Sequence, residues 1–366
     1  MAIDRITLSR FRNHGESRLD GTGQFNLLVG ENGAGKTNVL EALSLFAPGR
    51  GLRRAALTDI AQKIGDNAIA GGFAVSARLD IGDGSDPVQL GTGTRADRPG
   101  RRLVQINSAD ASALALGEWL AIGWLTPAMD GLFTDSAGAR RRYMDRLALA
   151  LSPDHARHAT RYETALRERN RLLDADQEPD PQWLDAIETG LASHGAALAQ
   201  SRAALVSRLT EELALLPDQP FARPALHYAA SAAMDEQQLA ADWRATRARD
   251  RAARRTLSGP HRDDLVVDMA GKGVPAASCS TGEQKAMLIA ITLAHASLSA
   301  RGRPSLLLLD EVAAHLDPVR REALFERLHA GGAQIWMTGT ELAPFEAIAA
   351  DMCIWHVTGG RVERAG

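Results

Sequence analysis

Gly30-Glu31-Asn32-Gly33-Ala34-Gly35-Lys36-Thr37 lies between the apolar run Phe25 to Val29 and the helical pattern Asn38 to Phe46. The octet matches the phosphate-loop pattern G-x-x-x-x-G-K-[ST] at every fixed position, and a strand before it with a helix after it is the context that pattern requires. Its glycines let the backbone wrap around phosphate oxygens while N–H groups point inward at a helix N-terminus, and Lys36 neutralises the β- and γ-phosphates. Gly30, Glu31, Asn32, Gly33, Ala34, Gly35, Lys36, Thr37 and Asn38 are therefore expected to hold ATP, with Lys36 acting in catalysis and the Thr37 hydroxyl offered to Mg2+. An α/β core follows from the strand, loop and helix in succession.

Outward from the loop, Leu306-Leu307-Leu308-Leu309-Asp310-Glu311 is an apolar strand ending in two acids. That arrangement places one carboxylate on a metal and another beside the γ-phosphate: Asp310 is expected to face Mg2+ and Glu311 to orient the attacking water. Cys279-Ser280-Thr281-Gly282-Glu283-Gln284-Lys285 precedes a helix and resembles the Leu-Ser-Gly-Gly-Gln signature of ABC ATPases, keeping the Ser, the second Gly and the Gln. A serine hydroxyl with free helix N-terminal amides suits an anion, so Ser280 and Gly282 join the nucleotide-binding set; in isolation, Ser280 or Thr281 only capping its own helix would be the favoured account. The order phosphate loop, signature, acid pair is that of the ABC class. In that class the signature binds the γ-phosphate of ATP held by the other subunit, so the resemblance implies an ATP-dependent homodimer. Ala314-His315-Leu316-Asp317 is similar to the D-loop of the class, which crosses the dimer interface, although His315 is equally an ordinary exposed histidine. Thr338-Gly339-Thr340 stands where transporter members carry a switch histidine, and neither that residue nor a Q-loop glutamine is identified.

The chain of 366 residues, 45% hydrophobic, is long enough for two domains or one with an insertion. Its formal charge of -3 gives no global attraction to nucleic acid, so any such binding must come from a local patch. The first residues lack a signal-peptide core and no apolar run reaches membrane-spanning length; with only Cys279 and Cys353 there is no disulfide framework, and a cytoplasmic protein is expected.

Residues 3 to 8 alternate as a half-buried strand does, and a β-rich subdomain is expected from about 70 to 125, interrupted by a mobile Gly- and Asp-rich loop from Ile81 to Gly100. From Ala139 the pattern turns helical and Arg-rich, breaking at Asp174 to Pro181; beyond it Leu184, Leu191, Leu198 and Leu205 recur every seven residues. Two antiparallel helices fit this pattern. The expected organisation is a head from 1 to 135, an inserted helical arm from 136 to 255, and the rest of the head from 256 to 366. In full, the expected fold is an α/β P-loop ATPase head of ABC type, with a mixed sheet, flanking helices and a β-rich subdomain, carrying that arm.

Leu8-Ser9-Arg10-Phe11-Arg12-Asn13-His14, the arm start Ala139 to Asp145, and Gly259-Pro260-His261-Arg262-Asp263-Asp264-Leu265 resemble sequences of the RecF family of recombination and DNA-repair ATPases. The resemblance spans nearly the whole chain. It implies that Arg12 and Asn13 lie near the nucleotide, that the protein is a weak DNA-stimulated ATPase binding single-stranded, gapped and duplex DNA, and that it works with RecR and RecO to load recombinase and support the SOS response. Arg140, Arg141, Arg142, Arg251, Arg254 and Arg255 are the candidate phosphate contacts, with Arg146, Arg244, Arg247 and Arg249 beside them. From the residues alone, Asp145, Asp242 and Asp250 make a salt-bridged helix face the simpler account; the resemblance favours DNA. A transporter subunit is disfavoured by the arm, and a chromosome-structural ATPase by the lack of room for a long coiled coil.

Overall fold

The computed structural model describes residues 2–64, 68–69, 71–82, 84–217, 220–299, 303–313 and 316–365. They divide into two compact units, the first formed by Met1–Asp130, Pro217–Phe221 and Leu288–Gly366, the second by Gly131–Leu216 and Ala222–Met287. Residues 256–287, expected with the head, cluster with the arm, because Asp263 and Asp264 pair with Arg202 and Arg140 and the strand after them joins the arm's own small sheet.

In the first unit the chain opens with strands β1 (Ala2–Phe11), β2 (His14–Asp20) and β3 (Phe25–Val29), then helix α1 (Lys36–Ser44) and the short α2 (Leu57–Ile60). A small ladder pairs β4 (Lys63–Ile64) with β5 (Ala68–Ile69). There follow β6 (Ala74–Asp80), β7 (Val88–Arg95), β8 (Arg98–Ile106), β9 (Ala109–Asp110), α3 (Leu116–Trp119) and β10 (Ala121–Leu125). One antiparallel sheet has the order β2-β1-β6-β7-β8-β9.

The expected loop from Ile81 to Gly100 is thus largely strand. Val88, Leu90 and Thr92 are buried in alternation on β7. Gly93, one of the glycines that signal a loop in sequence, serves close packing here, since a Cβ there would stand 2.2 Å from the Phe73 carbonyl oxygen.

The second unit holds α4 (Ala137–Leu151), α5 (Asp154–Asp174), α6 (Pro181–Leu215), β11 (Pro224–Ala229), α7 (Glu236–Ala252), β12 (Asp264–Met269) and β13 (Val274–Pro275). Contacts His155–Ser201, His158–His194 and Arg169–Glu188 run in opposite directions along α5 and α6, so the two are antiparallel. The heptad leucines 184, 191, 198 and 205 are all buried. Asp180 caps α6 by accepting from Gln182 N, with Pro181 as its first residue. Arg169 crosses the bundle beneath, 0% exposed, donating to Glu188 and Asp250 and thereby joining α5, α6 and α7.

Helix α8 (Thr281–Ser299) leads back into the first unit, where β14 (Ser305–Leu309), α9 (Pro318–Ala330), β15 (Gln334–Gly339), β16 (Met352–Thr358) and β17 (Arg361–Arg364) complete the fold. The second large sheet has the order β10-β14-β15-β3-β16-β17, parallel except for its last strand. Strands β3, β14 and β15 are buried at every residue, so β14 reads as an apolar run from Leu306 to Leu309 rather than an alternating one, while β3 and β15 also bury Asn26, Gln334 and Thr338, each hydrogen-bonded.

Candidate nucleotide-binding site

Adjacent parallel strands β14, β15 and β3 bring their carboxyl ends together: the acid pair follows β14, Thr338 is near the end of β15, and the phosphate loop follows β3. This edge of a parallel sheet is where open α/β folds bind ligands. The loop is packed too tightly for a side chain at Gly30, where a Cβ would meet the Val357 carbonyl oxygen at 2.2 Å. Gly35 has a φ of 115° and is crowded by Asn13 and His14, so any L-residue there is both strained and blocked.

Lys36 is buried at the start of α1 and donates to the Gly30 carbonyl at 2.5 Å and the Glu31 carbonyl at 2.9 Å, curling the loop around its own ammonium. Burial pulls its pKa down, opposed by the nearby charges of Glu311 and Asp310. Thr37 Oγ1 donates to Asp310 Oδ1 at 2.9 Å. Thr338 Oγ1 donates to the same oxygen at 2.9 Å and accepts from Glu311 N at 2.9 Å. Glu311 adopts a φ of 53°, a left-handed backbone that a non-glycine residue takes at a cost of about 1–3 kcal/mol and that recurs at functional sites.

The residues expected beside the nucleotide take two different parts. Asn13 donates to the Ala34 carbonyl at 2.9 Å and accepts from Asn38 at 2.7 Å, so it shapes the loop. Arg12 forks onto the buried Glu41 at 2.9 and 2.6 Å and gives its remaining Nη1 to the Asp59 carbonyl. With three of its five donors used in this way, Arg12 braces α1. His14, buried, bonds the Gly35 carbonyl at 3.1 Å and Ser17 at 2.9 Å; burial lowers its pKa and favours the neutral ring. Glu41, which also accepts from Arg53 at 3.1 Å, and His14 and Thr338 are not assigned from sequence, because their partners Arg12, Gly35 and Asp310 lie far away along the chain.

Ser280, in the second unit, caps α8: its N–H and hydroxyl both donate to Glu283 Oε2 at 2.9 Å, and Glu283 N donates back to Ser280 Oγ at 3.3 Å. This is a capping box. Lys272 and the Ser280 donors hold the Glu283 carboxyl down at about 2. Gly282 is the second residue of the helix. Ala314 and His315 lie outside the described residues; Asp317 caps α9, accepting from Arg320 N at 3.0 Å.

Most of the arginines proposed for DNA are committed within the second unit. Arg140 forks onto Asp264 at 2.9 and 2.7 Å, and Arg141 donates to the Asp263 carbonyl at 2.6 Å. Along α7, Arg244 and Arg247 reach Asp185 and Arg251 reaches the Asp176 carbonyl, and just beyond the helix Arg254 reaches Asp174, all on the arm hairpin. The acids they meet include Asp174, Asp185 and Asp264, whereas Asp145 and Asp250, expected to neutralise this face, pair with Arg202 and Arg169. Among the candidates, Arg142 and Arg255 are exposed and have no side-chain hydrogen bond or ion pair among the described residues.

The fold and the site define a nucleotide-binding head of the ABC/SMC class of ATPases. A family model described as the RecF/RecN/SMC N terminal domain matches residues 2–357. DNA replication and repair protein RecF of Brucella suis biovar 1 (strain 1330) is 47% identical over 375 residues, covering 99% of this chain and 96% of that one. RecF of Mesorhizobium japonicum is 46% identical over 380 residues, covering 99% and 98%. The chain belongs to the RecF family. Among solved structures, the recombination mediator protein RecF-ATP of the RecFOR pathway matches with a TM-score of 0.86 at 21% identity, covering 100% of this chain and 98% of that one. A Pyrococcus furiosus Smc head matches at 0.53 and 14% identity, covering 100% and 96%. At these identities the two structures speak for the fold, and the full-length RecF relatives set aside the transporter and chromosome-structural alternatives. No helix among the described residues is long and apolar enough to cross a membrane.

Proposed function

We propose that this protein is an ATP-dependent DNA-binding ATPase of recombinational repair and replication-fork maintenance, working in the cytoplasm. It dimerises on ATP, binds single-stranded, gapped and duplex DNA, and acts with RecR and RecO to load recombinase and support the SOS response. The observation that carries the ATPase reading is the convergence of Lys36, Thr37, Asp310 and Glu311 at the carboxyl ends of adjacent parallel strands. The names of the relatives, a replication and repair protein and an ATP-bound recombination mediator, support the rest.

In this reading the loop amides and Lys36 bind the β- and γ-phosphates, and Glu311 orients a water in line with the γ-phosphorus. The water oxygen bonds to phosphorus, the bond to the ADP oxygen breaks, and Glu311 polarises the water through its proton. The Thr37 hydroxyl and the Asp310 carboxylate, 2.9 Å apart, are hard oxygen donors that suit Mg2+, which would neutralise phosphate charge there. Ser280 and Gly282 at the exposed start of α8 would complete the site of a second copy, so that ATP joins two chains and hydrolysis releases them.

Sedimentation with ATP and Mg2+, alone and with gapped duplex, tests this reading. Glu311→Gln is expected to accumulate as a long-lived dimer that binds DNA, whereas Ser280→Arg is expected to bind ATP and stay monomeric. If wild type and Glu311→Gln both remain monomeric and ignore DNA, the shared-site reading is wrong. A separate expectation concerns the exposed arginines. Arg142→Ala and Arg255→Ala should each weaken DNA binding independently of sequence and lower the slope of log affinity against log salt by about one, as loss of one phosphate contact does. Fluorescence anisotropy over a salt series measures both. Arg140→Ala should act mainly on stability through Asp264.

A further inference from the structure

We infer that Thr338 is the positioning residue of the hydrolytic site, the side chain that fixes Asp310 and Glu311 relative to each other. This rests on the reading of Glu311 as the group that orients water. Thr338 lies on β15, beside β14 in the parallel sheet, and is 1% exposed. A hydroxyl offers one proton and two lone pairs. Here the proton goes to Asp310 Oδ1 and a lone pair takes the Glu311 N–H, both at 2.9 Å. Nothing is left to donate to a phosphate, so Thr338 acts through the two acids. This separates it from the switch histidine that transporter members carry in the segment where Thr338-Gly339-Thr340 stands here.

The two bonds have different consequences. Thr37 also donates to Asp310 Oδ1, so two hydroxyls hold that oxygen, and Oδ2 takes no hydrogen bond among the described residues. A carboxylate held in this way keeps its orientation toward a metal, and the loss of such a supporting bond costs roughly 10–100-fold in metal affinity or activity. The second bond acts on the backbone. Glu311 departs from β14 with a φ of 53°, and anchoring its N–H fixes the peptide plane that sets this turn and aims the side chain. One buried hydroxyl thus coordinates the placement of both acids.

Thr338→Val keeps the shape and removes both bonds, while Thr338→Ser keeps the hydroxyl. We expect Thr338→Val to lower kcat for ATP about 10–100-fold with KM for ATP changed less than about threefold, and to raise the Mg2+ concentration needed for half-maximal effect. The Mg2+ requirement is read both in turnover and in the fluorescence of bound methylanthraniloyl-ATP, which needs no hydrolysis. Thr338→Ser should stay within about threefold of wild type in each measurement. Methylanthraniloyl-ATP binding also shows that Thr338→Val is folded; a variant that binds no nucleotide while Thr338→Ser matches it would show a structural role and overturn the inference. So would Thr338→Val turning over like wild type. Glu311→Gln run in parallel separates the two levels: if it hydrolyses normally, the reading of the site is wrong and the inference falls with it. If Glu311→Gln is inactive and Thr338→Val is normal, the inference alone is wrong.

Discussion

Lys36→Met should weaken ATP binding about 10–100-fold and remove ATP-dependent dimers, because a hydrogen bond to a charged group contributes about 1.5–3 kcal/mol in the loss of one partner. The geometry makes this the most damaging change at the site. The ammonium is buried under the loop, donating to the Gly30 and Glu31 carbonyls, and no other lysine or arginine side chain donates to those carbonyls among the described residues. Methionine fills similar volume, so the change removes charge and donors rather than packing. Isothermal titration with ATP measures the loss. Affinity within threefold of wild type would show that the loop amides suffice without the lysine. A matching Tm for the two proteins would show that the effect lies in binding.

Arg169→Met should have the largest effect on stability, about 3–5 kcal/mol, the range for breaking a buried ion pair by removing one partner. Arg169 is 0% exposed and donates to Glu188 at 2.9 Å, to Asp250 at 2.8 Å and to Thr256 at 2.7 Å. Glu188 keeps Arg247 as a second partner, whereas the Asp250 carboxylate loses its ion-pair partner and keeps a bond from Leu257 N. The cost therefore falls mainly on Asp250. Asp250→Asn in the Arg169→Met background should recover part of it, since the uncompensated charge is then gone. Urea denaturation followed by circular dichroism reads both variants. A midpoint unchanged in Arg169→Met would mean that water replaces the guanidinium at little cost. Arg169→Lys keeps the charge without the fork that reaches Glu188, Asp250, Thr256 and also the Trp243 carbonyl, and should fall between.

The two expectations draw on different kinds of knowledge. Lys36 is identified by seven neighbours in sequence. Arg169 sits in a helix full of arginines, and nothing local distinguishes it from Arg167 or Arg171. Glu188 and Asp250 become its partners only when α6 and α7 pack on α5.

The same distinction divides the rest of the molecule. The sequence by itself determined the phosphate loop, the acid pair at the end of an apolar strand, the arm with its heptad leucines, and the membership of the RecF family, because strand, turn and helix signals act over a few residues and a whole-length resemblance needs no coordinates. Tertiary structure decided which polar groups meet. It made Val88 to Arg95 a strand, since Gly93 admits the backbone of Phe73 at a distance no side chain allows. It turned the α7 arginines onto the acids of the arm hairpin, committed Arg12 to Glu41, and set Thr338 between Asp310 and Glu311. Such pairings join residues tens to hundreds of positions apart, and sheet order and helix packing, not local propensity, bring them within hydrogen-bonding distance.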